Sequence, residues 1–337
     1  MKALFPGSRL GKLDSHGRRW QGRSDEIDGL AQAALPRRNG AMNAAEDFAD
    51  VAAFFEVTPA VRRGPLVYNS PHSGSHYPER FLSMIRLDRD GIRRSEDCYV
   101  DQLFSGAAAL GAPMLAANFP RAYLDVNREP WELDPRMFDG ALPSYVNARS
   151  ARVAGGLGTV PRIVGEGQDI YCAKLPLAEA VSRVEHIYKP YHQRLRSLLV
   201  HTHAMFGRAV LIDCHSMPAS IRIGDSGVRP DFIIGDRFGT SAAALISEQA
   251  IAILTAMGYT VAHNKPYAGG FITEHYGRPG RGLHAIQIEI NRGLYMNERT
   301  YQRSAGFDAL TDDLTRFGAA LTALMDEDGD ALPLAAE

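Results

Sequence analysis

From Gly64 onward, short apolar runs bounded by polar or turn residues alternate with longer stretches whose apolar residues recur every three to four positions. The first pattern suits strands and the second amphipathic helices, so their alternation predicts a sheet covered by helices on both faces. Pro65-Leu66-Val67-Tyr68-Asn69-Ser70, Ala209-Val210-Leu211-Ile212-Asp213-Cys214, Phe232-Ile233-Ile234 and Ala285-Ile286-Gln287-Ile288-Glu289-Ile290 are predicted strands. Ala122-Tyr123-Leu124 also reads as strand-like, while 176–206, 241–257 and 307–325 carry helical spacing. The stretch 130–168 differs, because Pro130, Pro135, Pro143, Gly155, Gly156, Gly158 and Pro161 interrupt any period. It is expected to be an ordered excursion over one end of the sheet, the kind of loop that shapes binding sites.

The ends read differently from this middle. Residues 1–41 hold Arg18, Arg19, Arg23, Arg37 and Arg38 among small and polar residues, which predicts a mobile basic extension. Asp14, Asp25, Glu26 and Asp28 fit poorly with a transit peptide, and Met42 could serve as a start. A single α/β domain is expected over 42–330, with a tail at 331–337. A chain of 337 residues, 45% hydrophobic and 23% charged, has ordinary globular composition, which excludes disordered, collagen-like and coiled-coil classes. Its formal charge of −2 argues against a nucleic-acid partner and leaves anion recognition to individual arginines. Cys98, Cys172 and Cys214 form no CxxC pair and are odd in number, so a reducing, cytoplasmic setting is expected. No apolar stretch reaches the length of a membrane span, and no membrane partner is expected. A homo-oligomer stays open.

In open α/β sheets ligands collect outside the carboxyl ends of strands. His72 and His215 each stand where a predicted strand gives way to a loop. Imidazole is the commonest metal ligand, and its second nitrogen needs an orienting acceptor; Asp213 or a backbone carbonyl could serve for His215. Glu96, Asp97 and Asp101 offer a carboxylate ligand, although Asp97 equally suits a helix N-cap and its neighbours solvated charges. Two histidines and one carboxylate suit a Zn²⁺ site with an open position. Glu289 lies inside an otherwise apolar strand, which is costly unless the charge is paired, for instance with Arg292, or used as a general base. Asn127 and Arg128 could clamp a carboxylate, or Arg128 could tie down the long loop. Tyr77, His76, Tyr267 and Glu274 are further pocket candidates that suit structural roles equally well. The glycine-rich Gly269-Gly270-Phe271-Ile272 and Arg278-Pro279-Gly280-Arg281-Gly282 lack phosphate-loop or dinucleotide spacing.

Six stretches, in order, resemble the N-formylglutamate amidohydrolase family. They are Asn-Ser-Pro-His-Ser-Gly-Ser-His-Tyr-Pro at 69–78, Glu-Asp-Cys-Tyr-Val-Asp-Gln-Leu at 96–103, Arg-Ala-Tyr-Leu-Asp-Val-Asn-Arg-Glu-Pro at 121–130, Asp-Cys-His-Ser-Met-Pro at 213–218, Arg-Pro-Asp-Phe-Ile-Ile-Gly-Asp at 229–236 and Gln-Ile-Glu-Ile-Asn-Arg at 287–292. That family is similar to zinc carboxypeptidases and aspartoacylase-like deacylases. The resemblance implies a three-layer αβα sandwich with a mixed central sheet, and one Zn²⁺. It further implies His72 and His215 as metal ligands, Asn127 and Arg128 as the carboxylate-binding pair and Glu289 as the base. Those enzymes usually place a glutamate ligand three residues after the first histidine, where this chain has Ser75, so Asp97 is chosen as the acidic ligand and Glu96 as the next candidate.

The implied reaction is metal-assisted hydrolysis of N-formyl-L-glutamate to formate and glutamate, a step of histidine degradation. Glu289 would accept a proton from water and return it to the departing amine. Arg121 would stabilise the oxyanion, and Arg292 would help hold the substrate carboxylates. A related N-acyl-amino-acid deacylase or carboxypeptidase-like hydrolase is the enzymatic alternative. A non-catalytic relative that binds an acidic amino acid is the alternative of another class.

Overall fold

The apolar runs form a seven-stranded sheet. Its strands are β1 (Phe54–Val57), β2 (Leu66–Ser70), β3 (Met114–Ala117), β4 (Ala209–Met217), β5 (Phe232–Gly235), β6 (Val261–His263) and β7 (Leu283–Asn291). The structure, a computed structural model, describes residues 44–165, 167–224 and 227–327. The basic extension expected over 1–41 and the tail at 331–337 lie outside the described residues.

The strand order is β1-β3-β2-β4-β7-β5-β6. The neighbours β3, β2, β4 and β7 run parallel, β1 is antiparallel to β3 and β5 is antiparallel to β7, so the sheet is mixed. Strand parity separates structure from chemistry, because successive side chains point to opposite faces. Leu66, Tyr68, Val210, Ile212, Cys214, Ile286, Ile288 and Ile290 face one apolar cluster. Ile246, Ala250 and Leu254 join it from the later helix Ala244–Ala256, and Phe307, Leu314 and Leu321 join it from Phe307–Glu327. Each fully buried isoleucine here contributes roughly 1.5–3 kcal/mol. Asn69, Asp213, His215, Gln287 and Glu289 occupy the other parity and emerge on the opposite face. Helices on both faces complete the αβα layering. No helix among the described residues is long and apolar enough to cross a membrane.

Four helices concern the site: α1 (Val100–Leu103), α2 (Ala151–Ala154), α3 (Leu177–Arg183) and α4 (Lys189–Phe206). A π-helical turn, Val184–Tyr188, joins α3 to α4 within the single helix expected over 176–206. Residues 121–123 form a turn and Leu124 is irregular, so 122–124 is not the expected strand; the Tyr123 N–H donates to the Pro120 carbonyl at 2.9 Å. Their burial comes from side-chain packing and not from a ladder. The excursion 130–168 contains only short elements. Ser150 caps α2 by accepting from Val153 N at 3.1 Å, and Ile163–Val164 pairs with Gln168–Asp169.

Tyr188 and His192 are four residues apart and therefore share a helix face. The Tyr188 hydroxyl donates to the Arg128 carbonyl at 2.6 Å, and His192 Nε2–H donates to the Val126 carbonyl at 2.8 Å. By holding alternate carbonyls, they fix the segment that carries Asp125 and Asn127. With Nε2 protonated, His192 Nδ1 accepts from the Tyr276 hydroxyl at 2.9 Å. Burial lowers the His192 imidazole to about 3, and burial likewise lowers His275 and His284 to about 4.

The folded chain therefore refuses protons that the unfolded chain accepts below about pH 6.5. The contribution of these histidines to stability should be level above that pH and fall as pH drops toward 4. His192 alone should account for about 2 kcal/mol between pH 7 and 5. Urea unfolding of the wild type and His192→Gln at both pH values checks this, and an unchanged pH dependence in the variant would reject it.

Candidate active site

The site lies at the carboxyl ends of β2, β4 and β7. His72 follows β2, while His215 on β4 and Glu289 on β7 are register partners whose side chains leave the same face. A backbone bond from Asp97 N–H to the His72 carbonyl, 3.0 Å, brings in the acid from the loop before α1. Asp97 does not cap α1, whose N-cap residue is Tyr99.

His72 Nδ1 is 3.2 Å from His215 Nδ1, and Asp97 Oδ2 is 3.0 Å from His215 Nδ1 and 3.4 Å from His72 Nδ1. All three residues are buried. On the far side of each ring, His72 Nε2 meets Asp125 Oδ1 at 2.8 Å and His215 Nε2 lies 3.1 Å from Asp213 Oδ2. Carboxylates accept hydrogen bonds, so Asp125 places the His72 ring proton on Nε2, and Asp213 favours the same tautomer in His215, whose Nε2 also lies 3.3 Å from Asn127 Nδ2. Both Nδ1 lone pairs then converge with Asp97 Oδ2, an arrangement of three acceptors that repel one another unless positive charge sits among them. This donor set fits a divalent cation with nitrogen and oxygen ligands. Burial would lower the His215 imidazole, yet Asp213 and Asp97 hold it well above its ordinary range. Burial would likewise raise the Asp97 carboxyl, but the two imidazoles hold it well below the usual carboxylate range.

Asp97 is fixed through its other oxygen, which accepts from Ser216 Oγ at 3.0 Å and Arg292 Nη2 at 3.2 Å. Arg292 therefore pairs with Asp97 and not with Glu289. Glu96 turns away, accepting from the Tyr77 hydroxyl, Arg93 and Cys98. Glu289 is buried and accepts from Gln287 Nε2 at 2.8 Å, while Gln287 Oε1 accepts from Gly270 N–H at 2.9 Å. Burial pushes the Glu289 carboxyl up to about 8, with Asp97 adding to the rise against His215, Arg121 and Arg292.

Asp125 anchors the opposite wall, accepting from Arg121 Nε at 2.9 Å and lying 3.4 Å from Arg128 Nη2. Arg128 also ties down the loop, donating to the Leu157 and Asn127 carbonyls at 2.8 and 2.7 Å. Asn127 Oδ1 accepts from Ile272 N–H at 2.7 Å. The loop can close on Asn127 because residue 270 is glycine; a Cβ there would lie 2.4 Å from Asn127 Nδ2.

His72, Asp97, Arg121, Asn127, Arg128, His215, Glu289 and Arg292 thus line one cavity of about 620 Å³. Tyr267 joins them, whereas Glu274 pairs with Arg237, and His76 packs against Phe48. Sequence reasoning gave no role to Asp125 or Gln287. Strand alternation held a signal for Gln287, two residues from Glu289 and hence on its face. Asp125 had no comparable signal, since its partners His72 and Arg128 meet it only in the fold.

The N-formylglutamate amidohydrolase family model matches residues 64–296. An N-formylglutamate deformylase of Pseudomonas putida is 32% identical over 245 residues, covering 70% of this chain and 83% of the relative. One from Pseudomonas aeruginosa is 30% identical over 241 residues, covering 70% and 84%. Among solved structures, N-formylglutamate amidohydrolase from Ralstonia eutropha JMP134 superposes with a TM-score of 0.78 at 34% identity, covering 82% of this chain and 99% of that one. A gene product of Agrobacterium tumefaciens at 19% identity, covering 82% and 97%, shares the fold with a TM-score of 0.58.

Proposed function

The chain belongs to the N-formylglutamate amidohydrolase family, and on that footing we propose that it hydrolyses N-formyl-L-glutamate to formate and L-glutamate. The observation that carries this reading is the buried triad of His72, Asp97 and His215 beside Glu289, facing a cavity walled by arginines. His72, Asp97 and His215 would hold one divalent ion, in our reading Zn²⁺. When bound, the ion would supply Lewis-acid polarisation of a carbonyl oxygen and acidify water.

The chain's own groups do the rest. Glu289 takes the proton of the attacking water and returns it to the departing amine; its raised carboxyl suits both halves of that exchange. Arg121 has its Nε committed to Asp125, which leaves its terminal nitrogens for the oxygen that gains charge at the tetrahedral stage. Arg128 and Asn127, through its Nδ2, orient the α-carboxylate. Arg292, already bound to Asp97, acts on the substrate only through its remaining donor and chiefly steadies the acidic ligand. The reaction is the formate-releasing step of histidine breakdown, as the resemblance implies, and a cytoplasmic address is the reading of the three isolated cysteines. The alternative is a deacylase for larger acyl groups, since the cavity exceeds what a formyl group needs.

Assays of N-formyl-, N-acetyl- and N-succinyl-L-glutamate distinguish the two readings. The formyl substrate should be preferred by at least about tenfold in kcat/KM, because the deformylase reading assigns the extra room in the cavity to the glutamate portion and not to the acyl group. Turnover of the bulkier amides alone would reject deformylation.

A further inference from the structure

A series of direct contacts leads outward from the triad along the cavity wall. His72 bonds Asp125 at 2.8 Å, Asp125 lies 3.4 Å from Arg128, Arg128 Nε donates to the Leu157 carbonyl at 2.8 Å, and Leu157 N–H donates to the Arg152 carbonyl at 2.8 Å. The last link reaches the backbone of Arg152, on α2 in the long excursion, and Arg152 lines the same cavity as Arg128.

Its bonding sets it apart. The cavity's other arginines are committed to protein oxygens: Arg94 to Gln168, Arg121 to Asp125, Arg128 to two carbonyls, Arg237 to Glu274 and Arg292 to Ser216 and Asp97. Among the described residues the Arg152 guanidinium makes no hydrogen bond, and its ion pair with Glu132 Oε2 is long, at 3.8 Å. Its side chain remains one-third exposed, 33%, so it is accessible from the cavity. Burial lowers Arg128 to about 10, and the like charges of Arg121 and Arg152 add to this while Asp125 and Glu132 oppose it. Three guanidiniums, Arg121, Arg128 and Arg152, here face two carboxylates, Asp125 and Glu132, and an incoming anion would relieve that excess.

The deformylase reading fixes which anion. In that reading the formyl carbonyl would sit at the triad, the α-carboxylate would lie near Arg128, and the side-chain carboxylate would extend two methylenes further out. We propose that Arg152 receives that side-chain carboxylate and is the residue that makes the enzyme prefer an acidic over a neutral side chain. This rests on the deformylase reading.

The test compares N-formyl-L-glutamate with N-formyl-L-glutamine, which has the same shape without the charge. Arg152→Gln should lower kcat/KM for the glutamate substrate roughly 10- to 100-fold, mostly through KM, the range expected for one charge-assisted hydrogen-bonded pair. Turnover of the glutamine substrate should change by less than about threefold, so the preference collapses. Inhibition by L-glutamate should weaken in step, and Arg152→Lys should recover part of the preference by restoring charge without the planar fork. An active wild type whose preference survives in Arg152→Gln overturns the assignment and leaves the deformylase reading standing. A wild type that releases formate from neither substrate overturns both.

Discussion

Glu289→Gln is expected to slow formate release about a thousandfold while the protein stays folded, within the range for loss of a general base. The substitution is nearly isosteric, and the backbone of β7 keeps its ladders to β4 and β5 on either side. Gln287 loses a carboxylate acceptor, but the new amide oxygen can take the same bond. In its proposed role Glu289 acts only as the proton moves, so kcat and kcat/KM should fall together with KM nearly unchanged.

The pH profile supplies a second readout. Burial is the largest influence that raises Glu289, to about 8. A base works deprotonated, so activity should be lost as pH falls through its pKa. A divalent ion in the triad pulls that pKa down, which places the rising limb of kcat/KM below about pH 8. The variant should lack this limb. A variant that keeps activity within tenfold of wild type would remove Glu289 from its proposed role.

Asp97→Ala is expected to abolish both ion retention and turnover. Wild-type protein dialysed against buffer should keep about one divalent ion per chain, and the variant close to none, because three ligands are the minimum for such a site. Removing Asp97 also strips Arg292 and Ser216 of their shared acceptor, so Asp97→Asn, which keeps an oxygen there, provides the milder comparison. Asp125→Asn should leave the donor set intact yet weaken ion affinity about 10- to 100-fold, since it disturbs only the partner orienting His72. Ion binding should also protect the fold, by about 2.7 kcal/mol at a hundredfold excess over Kd. Elemental analysis, formate release and melting with and without added Zn²⁺ read all three effects. Full activity in ion-free protein, or undiminished affinity in Asp97→Ala, would refute the metal assignment.

The amino-acid order by itself determined the layered α/β class, because alternating apolar runs and helical periods leave few other ways to bury both faces of a sheet. It also placed His72 and His215 at strand ends and marked Glu289 as an anomalous charge in an apolar strand, since these are properties of local pattern. It misjudged 122–124, where an apolar triplet is buried without a ladder, because a short run does not reveal what packs on it.

Only the tertiary structure showed which of Asp97 and Glu96 meets the two imidazoles. Adjacent residues leave the chain in different directions, and the fold turns one toward the imidazoles and the other toward Tyr77 and Arg93. It likewise gave Arg292 to Asp97, gave Asp125 to His72 and left Arg152 without a hydrogen bond among the described residues. Spacing along a chain sets which side chains share a local face, whereas which charge meets which across distant segments depends on the packing that brings those segments together.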